Sequence, residues 1–525
     1  ITNSHRPILL LRPAAAAHMV PAVAFIVPIA LLVLIQPPPA GAADWTFTPT
    51  LRLREAYSDN VFLAPAPLAQ GDFINEISPG IAVTADGPRL QLNAAYTLQA
   101  LIYARQPDRS YHQLAASGQA VLLEDWLFAD ASAYISRQNI SAFGPQAVDA
   151  AQRSDNQSSV GSDSISPYLL HRFKGWATVE LRYRRDAVRS DGDLLSVKTD
   201  ETLLKFSGDN PARNWNWNAS YDSRVIDDSA LTPVRMRTAS LSLNYSLSSK
   251  LGLFTSIGDE KSDYAASTPE QPQGRFWSVG MGWHPSSRSS IVVSGGKRFF
   301  GNTYSLAASH LSRHTTWSLN YGEDITTTQA QLTKLSRGET AGFLDQLWSA
   351  SIPDPAARQQ QVASFLLLAQ LLGPDAGTVN YFSHQFFLQK QASLAMAWAG
   401  AKSALSLSVS STQRTAQTNS GIDNILLGPG QLALQDKTRQ NGANAGWTTR
   451  LSSRSSLNLG AAYSAITSLS TGREDRNLAF SAGLSRTLRP KLSGAIDLRH
   501  VRHSSTDANG AYRENAVAAT LNLQF

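Results

Sequence analysis

The last nine residues, "VAATLNLQF", put Val517, Ala519, Leu521, Leu523 and Phe525 on one face of an extended strand and Ala518, Thr520, Asn522 and Gln524 on the other. The same alternation recurs along the chain. In "LNLGAAYSAI", Leu457, Leu459, Ala461 and Tyr463 share one face and Asn458, Gly460, Ala462 and Ser464 the other. Leu90 to Leu98, Trp277 to Trp283, Trp317 to Tyr321 and Leu478 to Leu484 repeat it. A period of two sustained from end to end predicts strands.

Short polar turns separate some of these runs: Glu124-Asp125, "HRFKG" at 171–175, "SSK" at 248–250, "PSSR" at 285–288, "SRH" at 312–314, "GAK" at 400–402, "SSRSS" at 452–456 and "LRPK" at 488–491. Longer polar stretches lie between them, at 139–158, 187–199, 260–274, 412–440 and 503–512. Short turns alternating with long loops are the pattern of a transmembrane antiparallel up-and-down β-barrel, here all-β with about 22 strands (roughly 16 to 24) from residue 44 to 525. One strand face is apolar. The other is mostly Ser, Asn, Gly, Ala and Thr, and burying it in a dry core would cost about 1 to 3 kcal/mol for each unpaired polar group. A closed barrel in a bilayer places the first face in lipid and the second in a wet lumen.

The N-terminus bears on compartment. "MVPAVAFIVPIALLVLI" (19–35), followed by "QPPPAGAADW", reads as a secretory signal peptide over residues 1–43, cut near Ala42/Ala43 and directing Sec export. The run is short for a membrane span and is broken by Pro21 and Pro28. With the barrel pattern, this places residues 44–525 in a bacterial outer membrane.

Composition removes other classes. The chain has no cysteine, so disulfides, thiolate nucleophiles, Cys-ligated zinc and a lipoprotein anchor are excluded. The net charge of +6 is spread along the chain without a basic block, which gives nucleic acid nothing to hold. No Gly-x-Ser-x-Gly elbow, Walker loop or HExxH is present, so the expectation is a non-enzyme without metal or cofactor. His310 and His314 flank a turn, and His500 and His503 straddle a strand end, so neither pair has the helical spacing of a metal site.

Candidate functional residues follow from strand phase. If Leu51, Leu53, Val179, Leu181 and Tyr183 face lipid, then Arg52, Arg54, Glu180, Arg182 and Arg184 face the lumen. Such arginines would favour anions, unless acids such as Asp130 and Asp497 neutralise them. Trp126, Trp176, Trp283 and Trp398 near short turns, with Tyr103, Tyr183 and Tyr221 toward long loops, are expected in interfacial girdles. Arg235 and Arg237 fall at the outer rim, where lipopolysaccharide is the expected partner alongside membrane lipid. Asp59 and Asn60 are expected to close a turn, and Pro79-Gly80 to kink or bulge a strand. One segment, 326–380, breaks the rhythm as a long loop insertion; "DPAARQQQVASFLLLAQLLGPDAG" within it predicts one short loop helix that constricts or caps the lumen.

Leu521, Leu523 and the terminal Phe525 resemble the C-terminal signal recognised by the outer-membrane barrel assembly machinery. "FTPTLRLREAYSDNVFLAP" (47–65), "DFINEISPGIAVTADGPRLQLNAAYTLQALIYA" (72–104) and "KRFFGNTYSLAASHLSRHTTWSLNYGEDITTT" (297–328) resemble outer-membrane β-barrel proteins associated with PEP-CTERM/exosortase systems. The resemblance implies a barrel in bacteria that sort PEP-CTERM proteins and make exopolysaccharide. It carries no catalytic residue. The expected role is a channel or export component for exopolysaccharide or small solutes; the alternative is a non-conducting structural or surface-anchoring protein with a loop-filled lumen.

Overall fold

A computed structural model describes residues 43–525, except 174–175, 211–213, 268–271, 337–380, 424–425, 427–432 and 508–509. The signal-peptide segment and the predicted helix after Pro355 lie outside the described residues. Twenty-two strands run from β1 (Asp44–Ser58) to β22 (Tyr512–Gln524) in one sheet, each antiparallel to its neighbours in sequence. The ends meet: β1 pairs with β22 from Thr50↔Gln524 to Ser58↔Ala516, so the sheet closes into a barrel with no free edge.

Strand phase follows the sequence pattern. Phe47, Leu53, Leu181, Tyr183, Leu241, Trp277, Met281 and Leu521 are exposed on the outer face. A continuous apolar exterior on a closed sheet whose backbone groups are paired is the arrangement a bilayer demands. The fold is an outer-membrane-type barrel.

Several expectations are corrected. The strands run further than the alternation suggested: the loop expected at 187–199 shrinks to the few residues between β7 (Ala177–Ser190) and β8 (Ser196–Asn210). Above the apolar belt the outer face turns polar, with Arg189 and Lys198 exposed, while Val188 and Val197 face inward and are buried, so apolar character no longer marks the lipid side although backbone pairing continues. Pro79-Gly80 does not bulge β2 (Asp72–Asp86). The β2–β3 register is the same before and after it, Ile77↔Ala100 and Gly80↔Thr97, and the gap reflects the N–H that proline lacks. Gly80 is needed for close approach, since a Cβ there would lie 2.8 Å from Thr50 Oγ1 and 2.9 Å from the Tyr96 carbonyl.

Tyr103 belongs to no outer girdle: it is buried on the inner face, where its hydroxyl donates to the Ala151 carbonyl at 2.9 Å. Trp126, Trp176, Trp283, Tyr183 and Tyr221 are exposed on the outside.

Only the two ends of the loop that holds the insertion fall among the described residues. It opens with helix α1 (Thr328–Ser336), capped by Thr327, whose hydroxyl accepts the Ala330 N–H at 3.2 Å. A one-turn helix, α2 (Ala433–Asp436), precedes β18 (Lys437–Ser452). The described residues thus hold two short α-helices, and the helix expected after Pro355 lies outside them. The hydrophobic core lies inside the barrel at its loop end. Leu332 of α1, with Phe382 and Phe386 from the end of the same loop, packs on the inner-face residues Val160, Val188, Val197 and Ile226 across the lumen. Val61, Leu63 and Ala147 join Ile74, Leu101 and Val501 in further clusters.

Candidate functional site in the barrel interior

The five charges placed by strand phase acquire specific partners. On β1, Arg54 reaches Glu76 of β2 at 3.3 Å and Asp149 of the β5–β6 loop at 2.6 Å. On β7, Arg182 lies between Glu180 at 2.7 Å and Asp130 of β5 (Leu127–Asn139) at 2.8 Å, with its guanidinium 3.8 Å from the Tyr168 ring centre. Arg184 pairs with Glu201 of β8 at 2.8 Å, and Glu201 also takes Arg224 of β9 (Trp215–Asp228) at 2.9 Å. Arg52 differs. Its Nε donates to Asn522 Oδ1 at 3.2 Å, and among the described residues it makes no ion pair.

Residues that strand phase alone did not single out form the centre of the interior. The β5–β6 loop, residues 140–156, folds inward and is fastened to the wall built by the two ends of the chain. Asp149 Oδ2 takes Arg54 Nη2 and Arg499 Nη1, both at 2.6 Å. Arg499, on β21 (Leu492–Ser505), also grips Glu514 of β22 at 2.7 Å, and Glu514 accepts the Ser58 hydroxyl at 2.9 Å. Burial alone would raise the Asp149 carboxyl, but the flanking Arg54 and Arg499 outweigh it and hold it well below the usual carboxylate range. A second fastening lies nearby. Gly144, in the left-handed region at φ 95°, donates its N–H to Asp475 Oδ2 at 2.8 Å, and Gln146 N–H donates to the Tyr512 hydroxyl at 3.1 Å.

The end of the β15–β16 loop makes a second hub. Residues 381–387 are buried without interruption. Asp423, from the β17–β18 loop, accepts the Ser383 hydroxyl at 2.6 Å, the His384 N–H at 2.8 Å and Gln385 Nε2 at 3.1 Å. His384 Nδ1 meets Asp228 at the end of β9, 2.8 Å away. Burial lowers the imidazole pKa, but the Asp228 hydrogen bond and charge more than reverse this, so the net shift is upward. Tyr264 stacks on Phe386 with ring centres 4.7 Å apart, and burial pushes its phenol up to about 12, keeping it neutral.

The phase argument that found Arg54 also covers Arg499 and Glu514, at inner-face positions of β21 and β22. Asp149, His384 and Asp423 had no such signal, because loop residues carry no period. Leu521 and Leu523 pair with Leu53 and Leu51 across the β1–β22 seam, and the Phe525 N–H donates to the Pro49 carbonyl at 3.0 Å. Asn60 closes its turn twice, through Ala64 N–H to Oδ1 at 3.0 Å and Nδ2 to the Ala64 carbonyl at 2.7 Å. His310 meets the Ser289 hydroxyl, His314 the Ala399 carbonyl, His500 Asn515 and His503 Asn477. Among the described residues, no group of three or more His, Cys, Asp or Glu is placed to hold a metal.

No family model matches the chain, and no curated protein matches it. Solved structures do. The siderophore receptor PirA from Pseudomonas aeruginosa is similar at 8% identity, with a TM-score of 0.43 over 93% of this chain and 81% of that one. The FrpB iron transporter from Neisseria meningitidis is similar at 7% identity, with a TM-score of 0.48 over 91% and 81%. OpdK from Pseudomonas aeruginosa, solved with vanillate, is similar at 9% identity, with a TM-score of 0.30 over 91% and 99%. At such identities the likeness is one of fold.

Proposed function

We propose that this outer-membrane barrel is a narrow channel for small solutes, constricted on its outer side by its own loops, in a cell that runs a PEP-CTERM/exosortase and exopolysaccharide system. The observation that carries the constriction is the β5–β6 loop, held across the interior by Asp149 between Arg54 and Arg499. A loop pinned by buried ion pairs stays in the bore. That favours small solutes over a folded or bulky polymer. The association with exosortase systems rests on the resemblance of residues 47–65, 72–104 and 297–328.

Charge balance refines the reading. Three of the four arginines expected to set anion preference are matched by Glu76, Asp149, Asp130, Glu180 and Glu201, while Arg52 makes no ion pair among the described residues and has Asp497 within reach of its charge. Paired charges cancel at a distance, so ion preference is weak.

The uninterrupted burial of residues 381–387 favours a second reading, a non-conducting barrel that serves as a structural or anchoring surface protein. Single-channel recording of the chain from Asp44 onward in a planar bilayer under a salt gradient separates the two. Small, stable steps with a reversal potential near zero support the constricted channel. An inserted but silent barrel gives the second reading, and large porin-sized steps overturn the constriction.

A further inference from the structure

On the outer face of the barrel, two cross-strand pairs place cation directly opposite cation. Arg237 of β10 (Val234–Ser246) is in register with Lys261 of β11 (Leu251–Ser262). Arg502 of β21 is in register with Arg513 of β22. All four side chains are exposed, and among the described residues none forms an ion pair. Like charges directly opposed on one sheet face weaken the pairing. The fold nevertheless does it twice.

The two pairs occupy the same height. Leu241↔Ile257 belong to the exposed apolar belt, and Arg237↔Lys261 sit four residues further toward the loops on both strands. Leu498↔Val517 belong to the same belt, and Arg502↔Arg513 again sit four residues further on both. That is about 13 Å along a tilted strand, the step from acyl chains to headgroups. Both pairs are therefore cation forks on the lipid-facing surface at the level of the outer-leaflet headgroups.

We propose that each fork clamps a phosphate of a phosphorylated glycolipid of the outer leaflet. An anion between the two cations removes their repulsion and, being multivalent in acceptor oxygens, takes charge-assisted hydrogen bonds from both. The acyl chains of the same lipid then lie on the apolar belt below. The second fork has one carboxylate nearby, Asp59, already engaged by the Asn515 side chain at 2.7 Å. The first has Asp259 one outward step below Lys261, and Asp263, which accepts the Arg235 N–H at 2.5 Å, just above it. The Arg502–Arg513 fork therefore binds more tightly.

Native mass spectrometry of the full barrel released from detergent tests this, with lipopolysaccharide-derived lipid A as the probe. The wild type is expected to retain two lipid A molecules, and the double variants R237A/K261A and R502A/R513A one each, with the stronger loss in the second. Dephosphorylated lipid A should not be retained. Heat-modifiable mobility on gels shows that each variant is folded; Lys261→Glu, which substitutes an ion pair for the repulsion, provides a stable control that should still lose one lipid. Unchanged retention in the double variants, or equal retention of dephosphorylated lipid, overturns the proposal. Inorganic phosphate displacing lipid A at millimolar concentration, with no preference for the lipid, overturns the assignment to a glycolipid.

Discussion

Arg499 and Asp149 lie 350 positions apart in the chain, yet Nη1 of one stands 2.6 Å from Oδ2 of the other inside the barrel. The pair joins the last hairpin to a loop that leaves the fifth strand, and Arg54 closes on the same oxygen from the first strand. One carboxylate thus ties three distant parts of the chain together.

Removing that carboxylate should free the loop. Asp149→Ala leaves two buried guanidiniums sharing Glu76 and Glu514, a loss of about 3 kcal/mol on the scale of broken buried pairs. Expected outcomes are faster protease cleavage within residues 140–156 and larger, noisier single-channel steps, with the barrel still heat-modifiable. The pH dependence has a definite sign. The folded pKa of Asp149 is depressed, so its contribution is present above the unfolded carboxylate value of about 3.9 and is lost only as pH falls through the lower folded value. Channel noise in the wild type should therefore stay constant from neutral pH down past 4.

The His384–Asp228 contact should respond in the opposite sense. The folded imidazole pKa is raised, so its stabilisation is complete below the unfolded value of about 6.5 and is lost as pH rises through the folded value. Protease sensitivity of the β15–β16 loop should increase on the alkaline side, and His384→Gln should remove that dependence. A flat profile in the wild type would refute the assignment.

Selectivity should be governed by whichever charge is left over. Arg182→Ala strands Asp130 and Glu180, and a reversal potential near zero in the wild type should move toward cations. Arg52→Ala removes a cation that makes no ion pair among the described residues and should shift it the same way, with little loss of stability.

Two glycine–phenylalanine pairs on the inner face should be intolerant of side chains. Phe254 is in register with Gly280 and Phe276 with Gly258, between β11 and β12 (Gln273–Ser286). A Cβ on Gly280 would meet the Phe254 ring and the Val293 carbonyl, and one on Gly258 the Phe276 ring and the Ala239 carbonyl. Either glycine-to-alanine change should cost about 1 to 3 kcal/mol, read as a lower temperature for loss of the compact gel band.

Particular residues show what could be read in advance. Arg54, Arg182 and Arg184 were found from alternation alone, because a pleated strand with one apolar face leaves the other face no choice. Glu180 came from the same alternation and Asp130 was named as a possible neutralising acid, but which arginine each acid meets was not legible. Glu201 reaches Arg184 from the adjacent β8 and Asp130 reaches Arg182 across β6, contacts that depend on the register of several strands at once. Tyr103 was assigned to the wrong face for a related reason: near the loop end, Leu101 and Tyr103 turn inward to meet Val61 and Ala151, so apolar character no longer marks the lipid side.

By itself, the sequence determined the class of fold, a strand number between about 16 and 24 and the outer apolar belt, because lipid acts on every strand by the same local rule of alternation; the closed sheet made the number 22. Only the tertiary structure decided what occupies the interior. Closing the sheet brings β1, β21 and β22 together, and Asp149, His384 and Asp423 find their partners through chain paths that cross the lumen. Those contacts depend on which wall each loop reaches after closure, and no local period along the chain encodes that.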